Sequence, residues 1–419
     1  MANLPIFSLP TFDVDFIESY QEEVKPMGEV SQGPIEFNIL PNNDFVDLDA
    51  MALQIISRIT KSDKTAFAKD AEVAFKNNAV HTMFSDVIVT INETTVEGGE
   101  SRYPMKSMIS TLFAYSAETM KKQLGASGFA MDEAGKADDV SNKGYIERRG
   151  WTIAGASKTF YSKLFVDLFQ QPKYMIGNVS MRIKLVKANY EAALWTNITG
   201  EKPKFAIESA KLYLRKIRPH PKILMDVESN LARGGMVHYP INRTEIVTIY
   251  APVNILELSK EQLFYGRIPK IIVMAMVDSE AISGMYNKNP YNFKSSNVKY
   301  LDLRIDGVSK PVLPLTPNFK TKMCTREYMN LLEAMGILGK DAYLPFCYED
   351  FLNGYTFFAW NLTADYQGQR QVSGRRANIR LDLKFEDALA RAMNILLYCV
   401  FDSTVSIDGS GNVFTDYKD

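Results

Sequence analysis

One strand-turn-helix pattern occurs twice in this chain, and that repetition limits the possible folds more than any other feature. In residues 87–91 (VIVTI), Val87, Val89 and Ile91 share one face, and the segment runs into a turn at Asn92-Glu93. Residues 301–305 (LDLRI), 214 positions later, do the same and run into Asp306-Gly307. A proline-containing stretch follows in each case, then a segment of helical spacing. These segments, 111–115 (TLFAY) and 331–335 (LLEAM), lie 220 positions apart, so the second copy carries six extra residues. Further on, 181–185 (MRIKL) matches 379–383 (IRLDL) at an offset of 198. Any two β-rich domains share strand patterns. Here order and rough spacing agree as well, which tandem copies of one module explain better.

The remaining pattern fills in those modules. Ile35, Phe37 and Ile39 alternate with Glu36 and Asn38, the mark of a half-buried strand. Strands are also expected at 45–60, 179–187, 206–217, 236–251, 269–278 and 298–305, and helical spacing at 105–124. Pro219-His220-Pro221 stops a strand, a short amphipathic helix fits 222–232, and Gly234-Gly235 ends it. Strands do not alternate with long helices, and no G-x-G-x-x-G follows a strand. The fold class expected is therefore all-β, two tandem sandwiches or jelly rolls with short helices in the connections. The expected divisions are an arm at 1–33, a first module at 34–218, a linker with a short helix at 219–234 and a second module at 235–419. The arm holds Pro5, Pro10 and Pro26 among scattered aromatics, with no sustained period. Residues 125–150, glycine-rich and charged, read as a long exposed loop.

Composition excludes several function classes. The 419 residues carry 48 Lys+Arg against 49 Asp+Glu, and this balance argues against electrostatic gripping of nucleic acid as the main task. The basic clusters Lys211, Arg215, Lys216, Arg218, Lys222 and Arg370, Arg375, Arg376, Arg380 read as solvated surface before they read as genome contacts. Cys324, Cys347 and Cys399 form no paired motif, which suits a reducing compartment. The opening MANLPIFSLPTFDVDF has neither the basic start nor the apolar core of a signal peptide. Apolar runs such as 271–277 and 395–401 fall far short of the ~20 residues a bilayer needs.

Catalytic signatures are missing. His81, His220 and His238 have no ligand partner at metal-binding spacing. There is no G-x-S-x-G elbow and no phosphate-cradling G-x-x-x-x-G-K-[ST]. Asp408-Gly409-Ser410-Gly411-Asn412 reads as a turn rather than a calcium loop, and Asp132, Glu133, Asp138 and Asp139 as a solvated acidic stretch. No catalytic, cofactor or metal residue is assigned. The terminal DYKD (416–419) matches the start of an epitope tag and is given no functional weight.

With these residues in view, GPIEFNILPNNDFVDLDAMALQIISRITK (33–61) resembles the opening strands of the major capsid proteins of Polinton/Maverick elements and adintoviruses. FSDVIVTINETTV (84–96) and the Tyr-Pro step with its helix, YPMKSMISTLFAYS (103–116), resemble the same family. Met105 departs from the aromatic usual there. The resemblance implies a double jelly-roll (hexon-like) fold of two eight-stranded β-sandwiches. It implies a homotrimeric, pseudo-hexameric capsomer that tiles an icosahedral shell around double-stranded DNA, with neighbouring capsomers, penton and minor capsid proteins as partners and the virion as location. The apolar residues Ile6, Phe7, Phe12 and Phe16 of the arm are then candidates for contact between subunits.

Two other classes compete with this reading. A tandem jelly-roll enzyme would need a convergent acid–base pair in a cleft. A carbohydrate-binding or attachment module would need grouped exposed aromatics, for which Tyr286, Tyr291 and Phe293 are the candidates.

Overall fold

The computed structural model describes residues 15–31, 33–264, 267–340, 344–363 and 376–417. The first module supplies β1 (Phe16–Val24), β2 (Ile35–Ile39), β3 (Phe45–Thr60), β4 (Val73–Phe75), β5 (Phe84–Ile91), β6 (Thr94–Glu97), β7 (Lys158–Ser162), β8 (Met181–Lys187), β9 (Leu194–Thr196) and β10 (Lys204–Pro219). After the helix Pro221–Ala232 come β11 (Met236–Ala251), β12 (Glu257–Lys260), β13 (Ile271–Asp278), β14 (Val298–Ile305), β15 (Val308–Leu315), β16 (Phe357–Asn361), β17 (Ile379–Phe385), β18 (Met393–Asp408) and β19 (Val413–Thr415).

The duplicated pattern becomes duplicated topology. In the first module one sheet runs β1-β10-β3-β7 and the other β2-β8-β5-β6. In the second they run β11-β18-β13-β16 and β12-β17-β14-β15. Among the described residues, leaving aside the small β4–β9 ribbon and the added β19, each module has eight strands. Numbered by rank, both have the orders 1-8-3-6 and 2-7-4-5, which is the jelly roll. Register repeats too. Val89 pairs with Ile183 and Val87 with Leu185, as Leu303 pairs with Leu381 and Leu301 with Leu383. The apolar alternation of these strands sends Phe37, Val89, Ile183 and Leu53 into one core and Leu303, Leu383, Ile272 and Ile395 into the other.

Three expectations need correction. The stretch 1–33 is not all arm: Phe16–Val24 is β1, the first strand of the first jelly roll, paired antiparallel with β10 from Phe16 to Val24. Its acidic residues explain how a strand without apolar alternation holds. Glu22 meets Lys216 at 2.7 Å, Glu23 meets Lys211 at 3.0 Å, and Glu18 pairs with Arg218. The first basic cluster is thus largely neutralised inside the sheet, and Lys216 is buried.

The stretch 125–150 is not an exposed loop either. Phe129, Ala130, Asp132, Asn142 and Arg148 are buried, and Lys143–Trp151 is helical, capped by Asn142 Oδ1, which accepts from Gly144 N–H at 2.9 Å. Finally, the helical segment expected at 105–124 is two helices, Tyr103–Ala114 and Ala117–Lys122. Tyr115 is extended and Ser116 caps the second helix.

The two modules interlock. Met105, Met108, Ile109 and Leu112 of the helix Tyr103–Ala114 belong to the core of the second module, beside Ile246 and Ile249 of β11. In return, Tyr239 and Ile241 of β11 and Val405 and Ile407 of β18 belong to the core of the first.

Candidate functional site

The seam between the modules holds two clusters of buried polar and charged side chains. A cavity of about 410 Å³ opens there, lined by Asp86, Glu97, Glu100, Arg102, Lys106 and Asp167 from the first module and by Ile241, Arg243, Thr244, Glu245 and Ile246 of β11. Lys106 comes from the helix Tyr103–Ala114, which Pro104 starts by supplying a preset φ in its first turn. Its ammonium pairs with Glu97 Oε1 and lies 2.8 Å from Asp167 Oδ1. Glu97 Oε2 accepts from Asp167 N–H at 2.7 Å, and Asp167 Oδ2 accepts from Thr244 N–H of β11 at 2.7 Å.

Burial and the Asp167 charge push the Glu97 carboxyl up to about 7, while its two carboxylate partners hold the Lys106 ammonium charged. All four carboxylate oxygens therefore have protein donors. The two carboxylates are thereby held in place by the ammonium between them and by backbone donors from both modules.

A second buried cluster crosses the seam through the segment expected to be a loop. Arg148 donates to Phe75 O at 3.1 Å, to Ala130 O at 2.8 Å and to Asp132 Oδ1 at 2.8 Å. Asp132 Oδ2 accepts from Asn289 of the second module at 3.2 Å, and Tyr355 OH donates to Asp132 O at 2.8 Å. Asp138 accepts from Asn289 N–H at 2.6 Å, and Glu133 accepts from Lys143 N–H at 3.1 Å. The acidic stretch is a framework of ion pairs and caps, and among the described residues no cluster of His, Cys, Asp or Glu could hold a metal.

The histidine most suggestive of catalysis is closed off. His81 lies in the short helix Ala79–Thr82 and is 1% exposed. Its Nε2 is 2.9 Å from Ser162 Oγ and its Nδ1 is 2.8 Å from Tyr103 OH. Ser162 donates to Lys163 O at 3.0 Å, so a consistent network has Nε2–H donating to serine and tyrosine donating to Nδ1. The serine proton is spent on a carbonyl, and burial pushes the imidazole down to about 3.

Of the aromatics that an attachment module would display, two are inside and Tyr286 is half-buried. Tyr291 and Phe293 are buried, and Tyr291 OH is 2.9 Å from Thr82 Oγ1 across the seam. Tyr286 OH donates to Pro203 O at 3.1 Å. The Asp408 stretch is the turn between β18 and β19, its carboxylate accepting from Ser410 and Asn412 N–H at 2.9 and 2.8 Å. Even the terminal residues take part. Tyr417 OH donates to Val96 O at 2.9 Å, and Asp416 accepts from Arg267 at 2.5 Å.

Of the candidate intersubunit residues, Phe16 stands at the start of β1 with its ring edge-on to Tyr174 at 5.6 Å. Ile6, Phe7 and Phe12 lie outside the described residues, as do Arg370 and Arg375. Arg380 meets Glu261 at 2.9 Å and Asp382 at 2.9 Å. No described helix is long and apolar enough to cross a membrane.

No family model matches the chain. An uncharacterized protein of Caenorhabditis elegans is 22% identical over 401 residues, covering 92% of this chain and 94% of that one. A chain of the Sputnik virophage structure superposes with a TM-score of 0.67 at 12% identity, covering 99% of this chain and 91% of its own. The Faustovirus major capsid protein gives 0.59 at 9% identity, over 96% and 92%. The mavirus major capsid protein gives 0.54 at 11% identity, over 99% and 95%. The architecture is the double jelly roll. It is shared, over nearly the whole chain, with major capsid proteins of viruses and a virophage.

Proposed function

We propose that this chain is a major capsid protein. Three copies close into a capsomer of six jelly rolls, and capsomers tile an icosahedral shell around double-stranded DNA in the virion. The observation that carries the reading is the pair of jelly rolls, equal in strand order, locked side by side by a seam that holds buried ion pairs. A chain built this way presents surfaces rather than a reaction site, and in this reading it has no catalytic role. Its near-zero net charge suits a shell subunit whose contacts are mostly with other proteins. Neighbouring capsomers, a penton protein and minor capsid proteins are the partners. Ile6, Phe7, Phe12 and Phe16 serve as apolar anchors between molecules. Light scattering of the purified protein should return the mass of three chains, and electron microscopy a six-sided outline. A clean monomer at micromolar concentration would overturn the proposal.

A further inference from the structure

Lys106, Asp167 and Glu97 bring an amine, a carboxyl carbon and an acid–base group into contact inside the protein. The Lys106 Nζ lies 2.8 Å from Asp167 Oδ1 and pairs on its other side with Glu97 Oε1. Lys106 and Asp167 are buried, and the Glu97 side chain is only 17% exposed. Each carboxylate is also fixed from behind. Asp167 Oδ2 accepts the Thr244 N–H at 2.7 Å, and Glu97 Oε2 accepts the Asp167 N–H at 2.7 Å.

These are the parts that condensation of an amine with an acid requires. Reacting groups held in contact need no encounter, which removes much of the barrier such a reaction meets in solution. Burial favours the product as well. An ammonium and a carboxylate are costly to keep out of water, and condensation replaces both charges with one neutral amide. The cavity that all three residues line gives the released water a place to go. The arrangement is selective. Lys216 is also buried and meets Glu22 at 2.7 Å, but that carboxylate is 41% exposed, and among the described residues no second acid pairs with this amine.

We infer that Lys106 and Asp167 join through an amide bond from Nζ to Cγ within the folded chain, with Glu97 carrying the proton. One ammonium proton passes to Asp167 Oδ1 along their contact. This frees the nitrogen lone pair and turns the carboxylate into an acid. The lone pair attacks Cγ, and charge that builds on Oδ2 faces the Thr244 N–H. Glu97 takes a second proton from the nitrogen and returns it to Oδ1. The Cγ–Oδ1 bond breaks and Oδ1 leaves as water. The nitrogen keeps one hydrogen, Glu97 is restored, and no oxidant or co-reactant is consumed. A carboxyl raised to about 7 suits both halves of that transfer near neutral pH. The event happens once per chain. The ion-paired triad is its starting state, and the titrations of Glu97 and Lys106 belong to that state. The bond ties the helix Tyr103–Ala114 to Asp167 and closes a loop around the buried stretch 125–150, a constraint on the unfolded chain.

Intact-mass measurement of the purified full chain, kept folded for days at neutral pH, should give a value one water below the sequence mass. A peptide map should join the peptides that contain Lys106 and Asp167. Lys106→Arg, which keeps the charge, and Glu97→Gln should both return the full mass. A wild type of full mass overturns the inference. So does a water loss that persists in Lys106→Arg, as cyclisation at another aspartate would give, or one that persists in Glu97→Gln. If the variants misfold, the wild-type map decides alone, and separate peptides carrying unmodified Lys106 and Asp167 overturn the bond. None of these outcomes bears on the mass of the oligomer, so the capsomer reading is tested apart from them.

Discussion

Lys76 of the first module donates to the carbonyl of Met285 in the second at 2.9 Å, and the same ammonium donates to Glu191 O at 2.8 Å. The side chain is 1% exposed, and its removal from water pushes its pKa down to about 7. The unfolded chain, with an ordinary lysine, binds more protons than the native one between about pH 7 and 10.5. Stability from this group must therefore rise with pH across that window. Lys76→Met removes the titration and leaves two carbonyls without this donor, at a cost of about 1–3 kcal/mol. The variant should fall further below wild type at pH 9 than at pH 6 in urea unfolding. An equal deficit at both values would show that Lys76 is charged throughout.

Glu97 acts with the opposite sign. Its folded pKa, raised to about 7 by burial and by Asp167, exceeds the unfolded value. Its contribution is fully present below about pH 4.5 and is lost as pH climbs through 7. Lys106 stays charged across this range because both carboxylates face it. Glu100, Glu245, Arg102 and Arg243 line the same cavity. Glu97→Gln should flatten the decline in melting temperature between pH 5 and 8. Lys106→Met should cost about 3–5 kcal/mol at pH 8, because it strands two buried carboxylates. A wild-type slope retained in Glu97→Gln would assign the titration to another group.

How much of this could be read from the sequence differs sharply between fold and seam. The repeat was legible because strand alternation and turn residues are local signals, and MRIKL and IRLDL did become equivalent strands β8 and β17. β1 was not. FIESYQEEV has no apolar alternation, and what holds it is the backbone ladder to β10, some 200 residues away, flanked by ion pairs such as Glu18 with Arg218. The stretch 125–150 looked solvated because its glycines and charges are those of a loop. The ion pair of Asp132 with Arg148, and the second-module Asn289 that completes it, turn it into buried structure. The triad of Glu97, Lys106 and Asp167 belongs to no motif. Only tertiary folding brings Asp167 to the other two.

The hairpin between β14 and β15 turns at Asp306-Gly307, with φ of +50° and +83°. Two consecutive positive values fit the tight turn whose twist matches the strands. An added Cβ at Gly307 would meet nothing within 4 Å, so the cost of a side chain there is conformational, not steric. Gly307→Val should lower the melting temperature by roughly 2–8 °C, from ~1–2 kcal/mol of left-handed strain in a module of this size. Asparagine tolerates this conformation, so Gly307→Asn should lose much less. Equal losses in both variants would point to packing rather than backbone.

Two N-terminal deletions separate the strand from the segment before it. Removing residues 2–13 spares β1 and takes away Ile6, Phe7 and Phe12. If these anchor the chain to other molecules, the truncated protein should keep its melting temperature and capsomer mass but form shells poorly. Burial of large apolar side chains, at about 25 cal/mol per Å², is the drive that would be lost. Removing residues 2–30 also deletes β1. That unpairs the edge of β10 and takes Glu23 from Lys211, Glu22 from Lys216 and Glu18 from Arg218. This second deletion should destabilise the first module and abolish the capsomer. Shells that assemble normally from the shorter deletion would remove Ile6, Phe7 and Phe12 from the contact between molecules, whereas a collapse of melting temperature in it would place their contact within the chain.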